Sequence, residues 1–110
     1  MNDLISFGEK RSYEDFKKQI SPLMLPFFDS LRDFCLSLGK NVIEDIRMHR
    51  IVFCKSMTFR WFVDIEPQEK SLKIKIQKDR KELQEVLVIK IDNDVESVKV
   101  LIQNSYNTIH

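Results

Sequence analysis

The residues of this chain best able to do chemistry are few and poorly grouped. Asp64 and Glu66 stand two apart in a stretch that alternates apolar and polar residues. A strand there would put both carboxylates on one side, where they could share a proton or hold a divalent cation. Lys73 and Lys75 follow at the same spacing. The quartet has the residue types of a nuclease centre, but such a centre needs its acids at the ends of particular strands. Opposite-charge pairing across a hairpin is the ordinary account. Cys54 lies in the run Ile51-Val52-Phe53-Cys54-Lys55-Ser56, which reads as strand interior. A nucleophilic thiolate wants a partly exposed, electropositive setting instead. His49, His110, Cys35 and Cys54 have no paired metal-ligand spacing. With only Gly8 and Gly39 in the chain, no glycine-rich loop precedes a helix to cradle phosphate. These patterns lead to no catalytic residue, no metal and no cofactor.

A binding surface is the better candidate. Alternation in 59–65 sends Phe59, Trp61, Val63 and Ile65 one way and Arg60, Phe62 and Asp64 the other. In 72–76 Leu72, Ile74 and Ile76 point inward, leaving Lys73 and Lys75 outside. In 86–91 Leu87, Ile89 and Ile91 share a face, opposite Val88 and Lys90. The outer face would then carry Arg60, Lys73, Lys75 and Lys90 around Phe62. If Val52 and Cys54 are core, Phe53 and Lys55 join that patch; the reverse facing removes them. Cations interleaved with aromatics on an open sheet suit single-stranded nucleic acid, the charges on phosphates and the rings on bases. An exposed aromatic patch equally suits a protein partner or a second copy of the chain.

The elements that must position these residues follow from periodicity. Ser12 offers an N-cap, with Glu14 and Asp15 in the first turn and Tyr13, Phe16 and Ile20 at helical spacing. Pro26 would kink a helix begun at Leu23, so the main helix is expected over 26–38, with Gly39 as its stop. From Val42 the period changes to two, and strands are expected over 42–48, 51–55, 59–65, 72–76 and 86–91. Their short connections argue for antiparallel neighbours. Asn93 and Glu96 form a capping-box pattern for a last helix with Val95, Val98, Ile102, Tyr106 and Ile109 on one face. Helices, then strands, then a helix give an α+β fold in two layers. Its antiparallel sheet has about five strands, with N-terminal and C-terminal helices packed on one side. Residues 1–11 read as a leader and 12–110 as a single domain.

Bulk properties narrow the function further. Net charge is +1, from 18 basic and 17 acidic residues, so nothing global draws the chain to nucleic acid or an anionic membrane. Hydrophobic residues at 43%, including eight Phe, are enough for a core without disulfide or metal. Cys35 and Cys54 are read as free thiols packed as small hydrophobes. There is no signal-peptide pattern and no apolar run long enough for a bilayer, so the cytoplasm is the expected location.

One stretch also resembles a known family. Phe62-Val63-Asp64-Ile65, then Pro67-Gln68, then Lys70-Ser71-Leu72-Lys73-Ile74 is similar to an uncharacterised prokaryotic family, domain of unknown function 5655. That domain also occurs at the C-terminus of so-called predicted transport proteins. Leu36-Ser37-Leu38-Gly39 and Glu44 precede the motif, and Val98, Leu101, Ile102, Ser105 and Tyr106 follow it in the family's order. The later segment from Lys78 to Ile91 departs from the family, being shorter and lacking its Gly and Trp. The resemblance implies an α+β fold and no established activity. The expected role is a non-catalytic binding or interaction module that uses the outer sheet face. Single-stranded nucleic-acid binding and homodimerisation are the alternatives, and a small enzyme is the least favoured.

Overall fold

The computed structural model describes residues 11–55, 60–77 and 85–109. Residues 1–10 of the leader, the 56–57 connection, Phe59, the polar segment 78–84 and His110 lie outside the described residues. The chain opens with a four-residue helix α1 (Tyr13–Phe16) and a 3₁₀ turn (Lys17–Gln19), followed by α2 (Leu25–Ser37). Five strands come next: β1 (Val42–Ile46), β2 (Ile51–Lys55), β3 (Arg60–Pro67), β4 (Ser71–Ile76) and β5 (Glu85–Lys90). Helix α3 (Val95–Thr108) closes the chain. The strands form one antiparallel meander in the order β1-β2-β3-β4-β5. The fold is α+β, as the change of period implies.

Local chemistry accounts for most boundaries. The Ser12 side chain accepts from the Asp15 backbone N–H at 3.1 Å, capping α1. Pro26 sits in the first turn of α2, where a missing N–H breaks nothing. Gly39 is not in the left-handed conformation expected of a helix stop. It is needed for room, because a Cβ there would run into the Tyr106 hydroxyl. At the start of α3 the cap is Asp94 rather than Asn93, its carboxylate accepting from the Glu96 N–H at 2.9 Å. Asn93 instead accepts from the Lys90 N–H at 2.7 Å, closing the turn that leaves β5. Two adjacent Asx residues can each cap, and the turn decides between them.

The core gathers on one face of the sheet. Ile51, Phe53, Val63, Ile65, Leu72, Ile74, Ile76 and Ile89 form one cluster with Phe28, Leu31 and Cys35 of α2 and with Val98 and Ile102 of α3. Phe16, Ile20 and Met24 join from the N-terminal turns. This settles the ambiguous strand: β2 sends Ile51 and Phe53 to the helices, with Val52 and Cys54 on the other face.

A bulge changes the parity of β3. Phe53 pairs with Val63, but its neighbour Cys54 pairs with Trp61, so Phe62 is the inserted residue. Phe62 and Val63 are thereby both buried. The Phe62 ring meets Tyr106 edge-on at 5.2 Å and lies 6.5 Å from Phe53. Its carbonyl accepts from the Gln77 N–H at 3.1 Å and from the Ser105 hydroxyl at 3.2 Å. Ser105 also bonds the Gln77 carbonyl. A buried serine of α3 therefore satisfies the backbone that the bulge leaves irregular.

Candidate interaction face of the sheet

The bulge redistributes the residues expected on the outer face. Phe62 is fully buried against α3, so it cannot stack on a base or face a partner. Strict alternation failed here because a bulge adds one residue to the count. Arg60 pairs with Lys55, a position with the parity of the helical side. Lys55 itself reaches α3, its ammonium 4.2 Å from the centre of the Tyr106 ring and donating to the Ile109 carbonyl. Phe53 is likewise core. Lys73, Lys75 and Lys90 are the three expected residues that do stand together on the outer face. Trp61 joins them there, half-buried opposite Cys54, where alternation had put it inside. The signal for it was the three-residue apolar run Trp61-Phe62-Val63, which no strictly alternating strand can place on one side.

The outer face is built in rows set by the register. One row reads Asp45, Val52, Asp64, Lys75, Val86 from β1 to β5. The next reads Glu66, Lys73, Val88 on β3 to β5. Ser71 and Lys90 form a third pair. Among the described residues no helix lies over these rows. Val86 and Val88 are exposed at 47% and 52%, where edge-strand valines with a covered face would be buried.

Charges of both signs are interleaved across this surface. Arg47 pairs with Asp45 at 3.0 Å, and Arg50 with Asp64 at 3.5 Å. Asp64, only 8% exposed, has its carboxyl held above the ordinary range by burial, with Arg50 and Lys75 opposing the shift. The raised value means that the folded state holds the Asp64 proton more tightly than the unfolded chain does. Its contribution to stability is full below the ordinary value of 3.8 and is lost as pH rises through the folded value. Asp64→Asn should therefore raise the urea midpoint at neutral pH. The gain should shrink toward zero as the pH is lowered below that ordinary value, and a loss of stability at pH 7 would contradict this account.

The remaining candidate chemistry finds ordinary explanations. Asp64 faces Lys75 and Glu66 faces Lys73 across the β3–β4 ladder, so each carboxylate has a cationic neighbour. Burial, then the Asp45 charge, raises the Cys54 thiol, which stays protonated at neutral pH. Cys35, on the inward side of α2, is pushed up further, chiefly by burial. His49 is exposed in the β1–β2 turn. No group of three or more His, Cys, Asp or Glu among the described residues is placed to hold a metal ion. A shallow groove of about 320 Å³ between α2 and α3 is lined by Phe34, Lys99, Val100 and Gln103, with Lys99 paired to Glu96 at 3.0 Å. No described helix is long and apolar enough to cross a membrane. No family model, no curated protein and no solved structure matches the chain.

Proposed function

We propose that this protein is a non-catalytic interaction module that engages a protein partner through the outer face of its sheet. The observation that carries this reading is a strand layer, bare of described helices, on which Trp61, Val86 and Val88 sit among charges of both signs. Exposed apolar side chains beside charges of both signs fit a non-obligate protein interface, which is about as apolar as the rest of a protein surface. A polyanion is a poorer fit. Two of the basic side chains are already engaged by carboxylates, and a phosphate backbone would cross Asp45, Asp64 and Glu66. Of the rings once expected to stack on bases, Phe53 and Phe62 are in the core. The similarity of residues 62–74 to an uncharacterised family adds an expected fold and no activity.

A photo-crosslinking amino acid placed at Val88, in cells that make the protein, tests this directly. The same substitution at Asn107, exposed on α3, serves as the control. Protein adducts from position 88 and none from 107 are expected. Adducts removed by nuclease would move the function to nucleic acid. Absence of any adduct at position 88 would overturn the reading.

A further inference from the structure

We infer that the partner on this face is a second copy of the same chain, stacked sheet on sheet about a two-fold axis running along the strands between β3 and β4. The inference rests on the outer face being an interaction surface, as just proposed, and adds the identity and geometry of the occupant. The argument comes from the register. In the first row, Val52, Asp64, Lys75 and Val86 occupy β2, β3, β4 and β5. About the line between β3 and β4 this row is antisymmetric in charge and symmetric in apolar residues. The second row repeats the charge pattern, with Glu66 on β3 and Lys73 on β4. A two-fold axis along that line lays Glu66 over Lys73 of the second copy and Asp64 over its Lys75. The same rotation lays the exposed Val86 over β2 of the second copy, where Val52 lies beneath the surface at 5% exposure.

Two other axes do not fit. Rotation about β3 itself would set Asp64 on Asp64 and Glu66 on Glu66. Rotation about a line across the strands, between the two rows, would set Lys73 on Lys75 and Glu66 on Asp64. The axis between β3 and β4 instead pairs acid with base in both rows, the self-complementarity an isologous contact requires. An axis parallel to the strands also gives the aligned packing that twisted sheets prefer, at about 10 Å separation. Glu66 and Lys73 are the deciding pair because both keep solvent access, whereas Asp64 lies low in the face beside Arg50. Four strands of about five residues project an area of about 300–400 Å² per copy. Stable complexes bury about 800 Å² of accessible surface per partner, so the dimer should be weak and should depend on concentration.

Charge-swapped chains test this by sedimentation over a concentration series at low salt. The wild-type chain is expected to dimerise reversibly, and added salt to weaken the dimer. Glu66→Lys and Lys73→Glu should each lose at least about tenfold in dimer affinity, because each sets like charges against each other twice. An equimolar mixture of the two variants should dimerise again. Each variant also breaks the Glu66–Lys73 contact within its own sheet, and mixing cannot restore that. Rescue on mixing therefore reads the contact between copies. A wild-type chain that stays monomeric up to high concentration would overturn the inference, as would a dimer indifferent to both variants. If that occurs while position 88 crosslinks to a different protein, the interaction face stands and only its occupant changes. If position 88 gives no adduct either, both readings fall together.

Discussion

Phe62→Ala should destabilise the protein by about 3–5 kcal/mol, the range for removing a fully buried aromatic side chain. The ring has no solvent exposure and bridges two layers, meeting Phe53 within the sheet and Tyr106 on α3. Truncating it also weakens the bulge, whose carbonyl is held by Ser105. Against a total stability of about 5–15 kcal/mol, such a loss moves the urea midpoint severely. Phe62→Glu should leave the chain unfolded, because it adds an unpaired charge to the same pocket. Its neighbour Trp61 makes the contrast. Trp61→Ala, on the outer face, should lose less than about half as much, and the difference measures the bulge. Equal losses at the two positions would mean that the register slip is not where the structure places it.

The second large effect is expected at the junction of α2 and β1. Arg32 donates through both Nε and Nη2 to Glu44, the latter bond measuring 3.0 Å, and its guanidinium lies 3.9 Å from the Tyr13 ring centre. Tyr13 in turn donates to Asp29. Burial and that hydrogen bond push the tyrosine ionisation well above its ordinary range, so the hydroxyl remains a donor. The paired side chains keep only 23% and 16% of their exposure. Glu44→Ala should therefore cost about 2–3 kcal/mol, somewhat below the loss for breaking a fully buried pair, since it strands a half-buried guanidinium. Arg32→Met combined with Glu44→Leu should recover most of that loss, because neither charge is then desolvated. A double variant as unstable as Glu44→Ala would show that the Tyr13 contact, rather than the ion pair, holds this corner.

Several features of the fold could be read before any coordinates. The change of period at Val42 marked the passage from helix to strand, and short polar connections implied a meander. Alternation of Leu72, Ile74 and Ile76 with Lys73 and Lys75 set the facing of β4, which the register bears out. Lys73, Lys75 and Lys90 were placed on the outer face for the same reason. Ser12 was legible as a cap because its side chain bonds three residues along the chain. Each of these depends on neighbours within a few residues.

What the sequence by itself determined is thus the class of fold, the order of its elements and the buried side of β4. The facing of β2, the insertion at Phe62 and the role of Gly39 were decided by tertiary structure. The physical reason is common to all three. A bulge forms where Ser105, Gln77 and Tyr106, distant in sequence, satisfy the carbonyl and the ring it displaces. Gly39 is small because Tyr106, 67 positions later, needs the space. Periodicity counts residues along one strand, whereas these features depend on what packs against it from another element.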